Sequence, residues 1–160
     1  YRGGACVLGQ RRPTAPHARV ARALDEERQL GYDTAAPYEA FRVAVHGVRE
    51  QLRALLDQHR RQGQRIYGYG ASTKGNVLLQ YCGIGPDDLI AIADRNPGKV
   101  GRRTSGSRIP ICSEEEMRRA RPDALLILPW HFLEEFLERE RPLREAGTRF
   151  IVPLPRVRIV

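Results

Sequence analysis

The sequence predicts an α/β fold in which a mostly parallel sheet carries helices on both faces. From residue 64 onward, short apolar segments alternate with longer amphipathic segments, which is the pattern of repeated strand–helix units. Two apolar segments, 89–93 and 124–128, are uninterrupted, as expected for strands that are buried on both sides. Residues 65–76 add a strand, a glycine turn and a helix start, which together indicate a Rossmann-like domain.

The region before residue 64 is predicted to contain a strand and two helices. Residues 5–9 are the predicted strand, and the stretch after them is rich in proline and arginine, as in a linker. Residues 17–30 are a predicted helix that ends at Gly31, and a longer helix follows and ends at Gly63. Apolar residues recur along the longer helix at spacings of three and four, which predicts one face packed on a core. This face consists of Tyr38, Phe41, Val45, Val48, Leu52, Leu55 and Leu56.

The remaining elements are justified by their composition and their end signals. Ile109-Pro110-Ile111 is predicted as an edge strand, because proline has no N–H for an interior ladder. Ser113 and Glu116 have the spacing of a capping box, so a helix is expected to begin there. Pro142 is expected to kink or split the helix that ends at Gly147. The predicted strands are 65–70, 89–93, 109–111, 124–128 and 150–152, and the predicted helices are 73–82, the one beginning at 113, and 131–146.

The order of the predicted elements along the sequence divides the chain into three parts. Residues 1–12 are interpreted as the tail of a preceding, missing domain, residues 13–63 as a helical linker, and residues 64–160 as the Rossmann-like domain, whose ligand is considered below. The chain of 160 residues is long enough for one domain with its own core. It begins at Tyr1 and its single methionine is Met117, so we expect a fragment of a longer protein.

Composition and cysteine usage narrow the class of protein. The net charge is +8, but arginine supplies 25 of the 27 basic residues and is interleaved with acidic residues, as on a solvated surface. This pattern, without a nucleic-acid-binding motif, argues against a nucleic-acid partner. Cys6, Cys82 and Cys112 are far apart, which predicts reduced thiols in a cytoplasmic protein rather than disulfides or a metal site. No apolar run approaches the roughly 20 residues that span a bilayer, so no membrane partner is expected.

Residues 65–76 predict a phosphate-binding turn between a strand and a helix. Gly68 and Gly70 let the backbone turn sharply near a ligand, and the helix N-terminus offers N–H groups and a positive dipole end. The dinucleotide-binding pattern requires its third glycine where Thr73 stands, and the P-loop pattern fails after Gly75. A tight turn without a ligand is therefore the alternative. The candidate binding residues here are Gly68, Gly70, Ala71, Ser72, Thr73, Lys74, Gly75 and Asn76.

A second group of candidates follows the strand predicted at 89–93. Ligands of parallel sheets bind beyond the carboxyl ends of the strands. Asp94 lies 24 residues after Gly70, near the usual place of an acid that binds a ribose hydroxyl. An Asx turn that precedes Asn96-Pro97-Gly98 is an equally weighted alternative. Asn96 and Lys99 belong to the same segment and are candidates with Asp94.

Trp130 and His131 follow the strand predicted at 124–128. This pair can stack on a base or sugar and form a hydrogen bond with it. The alternative is a tryptophan that closes the core and a histidine that caps the next helix. We favour the ligand role, because a polar pair at the carboxyl end of a strand is well placed for it.

Five segments in a fixed order resemble one known family. Taken together, they are far more specific than any single motif, and they extend over nearly the whole chain. The chain is similar to the C-terminal domain of the sugar C-methyltransferases of deoxysugar biosynthesis. The segments are Gly68-Tyr69-Gly70-Ala71-Ser72-Thr73-Lys74-Gly75-Asn76, Asp94-Arg95-Asn96-Pro97-Gly98-Lys99, Ile109-Pro110-Ile111, Leu128-Pro129-Trp130-His131-Phe132 and Phe150-Ile151-Val152-Pro153-Leu154-Pro155.

The resemblance implies a larger enzyme with a zinc-binding N-terminal domain and a central S-adenosylmethionine domain. In such enzymes the central and C-terminal domains enclose a nucleotide-linked 4-keto sugar. A proton is removed next to the ketone, and the enolate attacks the methyl group of S-adenosylmethionine. The present chain would bind the nucleotide sugar, with residues 71–75 near phosphate. It would hold neither the methyl donor nor zinc, and it would be inactive alone.

One segment departs from the family pattern. Members usually have His-Gly-Gly-Ser in the strand that leaves the central domain, and that histidine is a candidate proton acceptor. This chain has Arg2-Gly3-Gly4-Ala5 instead. Arginine stays protonated and is a poor general base, so the resemblance leaves the catalytic base unassigned.

An oxidoreductase with a nicotinamide-binding Rossmann domain is the main competing hypothesis. Thr73 at the third-glycine position and the lack of a recognisable catalytic dyad count against it. A basic nucleic-acid-binding module is the third hypothesis.

Overall fold

Strands and helices alternate along residues 18–160, the part of the chain that the computed structural model describes. The strands are β1 (Ile66–Tyr69), β2 (Ile92–Asp94), β3 (Ile111–Ser113), β4 (Ala124–Ile127), β5 (Arg149–Val152) and β6 (Arg158–Ile159). The helices are α1 (Ala18–Gln29), α2 (Ala36–Arg61), α3 (Thr73–Tyr81), α4 (Glu114–Ala120), α5 (Leu133–Arg139) and α6 (Arg141–Glu145). A 3-10 turn over Trp130–Phe132 precedes α5.

The six strands form one sheet in the order β3-β2-β1-β4-β5-β6. Neighbouring strands from β3 to β5 are parallel, and β6 is antiparallel to β5. Chain order therefore runs outward from β1 to β3 and then returns to β4 on the other side of β1. This arrangement confirms the predicted Rossmann-like α/β fold, and it confirms the edge position expected for the strand near Pro110.

Helices cover both faces of the sheet, as the sequence predicts. The second half of α2 packs with α3 on one face, and α4, α5 and α6 pack on the other. The alternation along β4 divides its side chains between the two faces, because successive residues of a strand point in opposite directions. The first core includes Leu52, Leu56, Leu78, Leu79, Ile92, Leu126 and Leu128, and the second includes Tyr69, Met117, Leu125, Ile127, Phe136, Leu143 and Phe150.

The chain forms two compact units that divide between Val43 and Ala44, inside α2. In the second unit, Leu52 and Leu56 are fully buried, which confirms core packing for this end of the predicted apolar face. In the first unit, Tyr38 and Phe41 are 60% and 69% exposed. The prediction that the whole apolar face of α2 packs on a core is therefore wrong for Tyr38 and Phe41. The domain boundaries predicted from the sequence stay a prediction.

The element boundaries agree with the sequence-based expectations in two places and differ at the start of β2. β2 begins at Ile92 rather than at Leu89, and a turn in which the Asp88 carboxylate accepts a hydrogen bond from Gly85 N–H precedes it. Ser113 caps α4 in the expected capping box. Pro142 lies in the first turn of α6, so the helix predicted at 131–146 is split as expected. The strand predicted at 5–9 lies outside the described residues, as does Arg2.

The helices of residues 18–160 differ from membrane-spanning helices. None of them combines the length and the apolar character that a transmembrane span needs.

Candidate functional site

The turn after β1 brings the candidate glycine loop against the end of β4. Gly70 has φ +82°, a conformation that side chains other than glycine rarely adopt. A Cβ at this position would lie 2.6 Å from Pro129 Cγ. Two features therefore require glycine at position 70: the positive φ and the close approach of the loop after β1 to Pro129, which follows β4.

Gly75 supplies the close helix–strand contact that the sequence pattern lacked at Thr73. A Cβ on Gly75 would lie 2.6 Å from Leu128 Cβ, so a larger residue would push α3 away from the end of β4. The third glycine of a dinucleotide-binding loop has this packing role. Ser72 caps the helix, because its side chain accepts a hydrogen bond from Gly75 N–H at 3.0 Å. The structure thus contains a close helix–strand contact of the kind that the third glycine of the pattern provides, although the spacing differs.

The other members of this segment lie around the first turn of α3. Thr73 and Lys74 are exposed, and Ala71 is partly buried. Among residues 18–160, the Asn76 Oδ1 atom is buried without a hydrogen-bond partner. Gly68 lies within β1, and a Cβ there would be 2.8 Å from Ile92 Cγ1, so this glycine fits β1 beside β2.

Asp94 fastens the glycine loop to the segment that follows β2. Its Oδ1 accepts from Asn96 N–H at 2.8 Å, which is the Asx turn considered as the alternative. Its Oδ2 accepts from Ala71 N–H at 2.8 Å and from Lys99 Nζ at 3.0 Å. Lys99 Nζ also donates to the Ala71 carbonyl at 2.8 Å. Asp94 and Lys99 therefore hold residue 71 in place, and their contact with a ligand stays a prediction.

Trp130 and His131 lie in the 3-10 turn after β4. Trp130 is partly buried and contacts both cores, whereas His131 is exposed. The start of α5 has no side-chain cap, so the capping role considered for the histidine is not seen. The pair borders a groove with Leu154, Pro155 and Arg158, and this groove differs from the cleft beside Asp94.

A cleft of about 350 Å³ lies at the carboxyl ends of β1 and β2. It is bounded by residues that follow β1 and β2, by the first residue of α4, and by one side of α5. This is the edge of the sheet where Rossmann-like domains bind ligands. The lining residues are Tyr69, Gly70, Asp94, Arg95, Asn96, Glu114, Phe132, Glu135, Phe136 and Arg139.

Sequence reasoning missed a group of five interacting residues at this cleft, which we call the Tyr69 cluster; three of them line the cleft. It consists of Tyr69, Glu114, Arg118, Arg139 and Glu140. The Tyr69 oxygen lies 2.5 Å from Glu140 Oε1 and 3.0 Å from Glu114 Oε1. Arg118 donates to Glu140 at 2.8 Å through Nε and to Glu114 at 3.0 Å through Nη2.

Burial and hydrogen bonding shift the pKa values of two residues in the Tyr69 cluster. Loss of solvent, followed by hydrogen bonding to Glu140, raises the pKa of Tyr69 well above its ordinary value, so the phenol stays neutral. The hydrogen bond to Glu140 raises the pKa of Arg118. Tyr69 and Glu140 are separated by 71 residues, so no local spacing reveals this contact. The sequence signal that exists is the Glu114–Arg118 pair, four residues apart on α4.

No group of three or more His, Cys, Asp or Glu side chains among residues 18–160 is arranged to hold a metal ion. The described residues therefore do not fit a zinc centre.

Comparison with known proteins agrees with the resemblance inferred from the motifs. The C-methyltransferase NovU of Streptomyces niveus is 37% identical to this chain over 161 residues, which cover 99% of the chain. The chain spans 38% of the length of that relative. The family described as the C-methyltransferase C-terminal domain matches residues 2–155, and an oxidoreductase is therefore not favoured. Because the match covers nearly the whole chain, this protein belongs to the C-methyltransferase C-terminal domain family.

Proposed function

We propose that this chain is the nucleotide-sugar-binding domain of an S-adenosylmethionine-dependent C-methyltransferase. Its substrate is a nucleotide-linked, for example dTDP-linked, 4-keto deoxysugar, and the enzyme belongs to deoxysugar biosynthesis. Family membership supports the reaction class. The observation that carries the binding role is the pair of close approaches at Gly70 and Gly75, which set the N-terminus of α3 at the carboxyl edge of the sheet.

The diphosphate is proposed to bind at the first turn of α3. The first N–H groups of a helix have no partner inside the helix, and with the helix dipole they favour an anion. Ser72 already accepts from Gly75 N–H, and the proposal uses the N–H of Thr73, the first residue of α3, as a donor. Asp94, Lys99 and Ala71 keep this turn fixed through their mutual hydrogen bonds.

The remaining candidates are proposed to contact other parts of the nucleotide sugar. Two of them, Asp94 and Lys99, already bind one another, so their ligand contacts are proposed in addition to that ion pair. These second-rank candidates are Asp94, Asn96, Lys99, Trp130 and His131.

We propose that this chain binds the nucleotide sugar and does not transfer a methyl group by itself. S-adenosylmethionine supplies the electrophilic methyl group when it is bound by another domain of the enzyme. The residues of this chain hold and orient the nucleotide sugar, and no proton acceptor is assigned among them. The chain spans 38% of its relative NovU, which leaves room in a longer protein for a methyl-donor domain and a zinc domain.

A proline substitution at Thr73 tests the proposed phosphate site. Thr73 is the first residue of α3, where proline is favoured, and Ser72 has φ −101° and ψ 156°, which are compatible with a following proline. Thr73→Pro removes one backbone N–H and should lower the affinity for dTDP about tenfold, as expected for one charge-assisted hydrogen bond. Isothermal titration calorimetry on both forms measures this change.

Thr73→Ala is the matched control, because it removes the side chain and keeps the N–H. We expect it to bind dTDP within about twofold of the unmodified chain. Equal affinity of the proline and alanine variants would remove the α3 N-terminus from the site. A thermal-shift series with dTDP-sugars, NAD(H) and a DNA oligonucleotide tests the class of ligand, since a ligand of the folded state raises the melting temperature. A shift with NAD(H) alone would favour the oxidoreductase.

Inactivity of the isolated chain is tested with labelled S-adenosylmethionine and a series of dTDP-4-keto sugars. We expect no label in the sugar above the protein-free control. Label above that control would show that this chain holds a complete active site.

A further inference from the structure

The segment between β2 and β3 carries positive charge without any carboxylate. Residues 95–113 contain five basic residues and no aspartate or glutamate. Three of the five, all of them exposed arginines, lie after residue 100: Arg102, Arg103 and Arg108. This segment therefore differs from the rest of the chain, where arginines are interleaved with acidic residues.

None of these three guanidinium groups forms an ion pair with a carboxylate of residues 18–160. Arg103 Nη1 donates instead to the Arg108 carbonyl, at 3.0 Å. Arginines elsewhere in the described chain do pair with carboxylates, and examples are Arg53, Arg65, Arg118 and Arg139. The three exposed guanidinium groups are therefore available to an anion outside the chain.

Residues 101–111 form a hairpin, which we call the basic hairpin. Ile111 N–H donates to the Arg102 carbonyl at 2.8 Å, and Arg103 forms an antiparallel bridge with Pro110. Successive residues of an extended strand point in opposite directions. Arg102 and Arg103 therefore present their charges on opposite sides of the basic hairpin.

The tip of the basic hairpin is held against the last turns of α3. Gln80 Nε2 donates to the Ser105 carbonyl at 3.3 Å, and a Cβ on Gly106 would lie 2.6 Å from Gln80 Cδ. Arg108 has φ 58°, a conformation that is uncommon for residues other than glycine. The chain thus keeps an arginine where glycine would relieve strain, which indicates that this side chain has a role.

We propose that the basic hairpin binds an acidic polypeptide segment of a partner protein. Guanidinium groups match carboxylates in planar, two-bond pairs. A flexible acidic chain can follow charges around both sides of a narrow hairpin. The surface lies at the opposite end of α3 from Thr73, so it is separate from the proposed phosphate site.

Two other kinds of anionic partner fit the basic hairpin less well. Residues 95–113 contain no aromatic residue, so they offer neither the stacking that single-stranded nucleic acids use nor an aromatic anchor for a membrane surface. A rigid duplex or a flat lipid surface reaches one side of the hairpin only. Both are therefore compared with the acidic peptide in the test.

Fluorescence anisotropy of a labelled oligoglutamate peptide tests the proposal on the unmodified 160-residue chain. Duplex DNA and vesicles that contain phosphatidylserine are titrated in parallel. The measurements are made at about 0.15 M salt, where exposed charges more than roughly 8 Å apart are largely screened. We expect the peptide to bind, and absence of peptide binding under these conditions would overturn the proposal.

A triple variant, Arg102→Gln with Arg103→Gln and Arg108→Gln, removes the three guanidinium groups. We expect the affinity for the peptide to fall about tenfold, because several exposed charge pairs are lost together. In this variant, a larger loss for duplex DNA or for vesicles than for the peptide would assign the surface to that anion and overturn the proposal. The affinity for dTDP should stay within about twofold, and a loss like that of the peptide would overturn the separation of the two sites.

Arg144→Gln with Arg149→Gln and Arg156→Gln is the matched control. These three arginines are also exposed and lie outside the basic hairpin, and the net charge changes by the same amount. We expect peptide affinity within about twofold of the unmodified chain. Equal losses in the two triple variants would show a response to net charge alone and would overturn the proposal.

A double variant keeps the test decisive if melting curves show that the hairpin triple variant is unfolded. Arg102→Gln with Arg108→Gln retains the contact of the Arg103 side chain with the carbonyl of residue 108. We expect it to lower peptide affinity about fivefold. Unchanged affinity in the double variant would overturn the proposal.

Discussion

The glycine loop and the Tyr69 cluster meet at adjacent residues, Gly70 and Tyr69, yet they are built in different ways. The loop is made by consecutive residues, and its geometry depends on backbone conformation and on close contact with Pro129 and Leu128. The cluster gathers side chains from β1, α4 and the α5–α6 region, separated by up to 71 residues. The loop shapes the turn between β1 and α3, and the cluster forms part of the wall of the cleft. This difference predicts how each region responds to substitution.

The largest effect is expected in the loop, for Gly70→Val. The variant forces a β-branched residue into φ +82° and brings Cβ within 2.6 Å of Pro129 Cγ. Backbone strain and overpacking each cost about 2 kcal/mol, so the free energy of unfolding should fall by about 4 kcal/mol. Urea denaturation measures it. This variant therefore tests stability, and Thr73→Pro is the better probe of ligand binding.

Gly101→Val is the matched control for that variant. Gly101 has φ +80°, and a Cβ there would meet no atom within 4 Å. It should cost about 2 kcal/mol through strain alone. Equal destabilisation by the two variants would show that contact with Pro129 does not constrain the loop.

A smaller effect is expected in the cluster, for Glu140→Ala. This change leaves the Tyr69 hydroxyl and Arg118 without their buried acceptor. Breaking a fully buried pair costs about 3–5 kcal/mol, but the Arg118 side chain is 40% exposed, so we expect about 2–3 kcal/mol. Denaturation of Glu138→Ala, which breaks an exposed pair with Arg141, is the control and should change stability by less than about 1 kcal/mol. Similar losses for both would show that the contacts of Glu140 stabilise the fold no more than an exposed ion pair does.

The smallest effect is expected at the start of α4, beside Glu114 of the cluster. The hydrogen bond from Ser113 N–H lowers the pKa of Glu116 below its ordinary value of 4.5. The stabilisation is therefore present above pH 4.5 and is lost as the pH falls through the lowered pKa. Glu116→Gln keeps the capping geometry but does not titrate, so its melting temperature should fall less below pH 4.5. Glu115→Gln is the control and should follow the unmodified chain; an identical acid response of both variants would contradict the assignment.

The sequence by itself determined the elements whose cause is local. Alternating apolar segments predicted the parallel sheet, Ser113 and Glu116 predicted the capping box, and Pro142 predicted a split helix. The glycine turn after β1 was visible because positive φ requires a residue type that can be read directly. The ordered motifs also identified the family, which the comparisons confirmed.

Only the tertiary structure decided how these local pieces meet. It gave Gly75 the packing role that the pattern reserved for position 73, because the helix–strand distance depends on Leu128. It showed that the Asp94 carboxylate holds Ala71 and Lys99, and that the apolar face of α2 is buried at Leu52 but exposed at Phe41. It also assembled the Tyr69 cluster. Burial and pairing of distant side chains depend on how strands are ordered in the sheet, and no spacing along the chain contains that information.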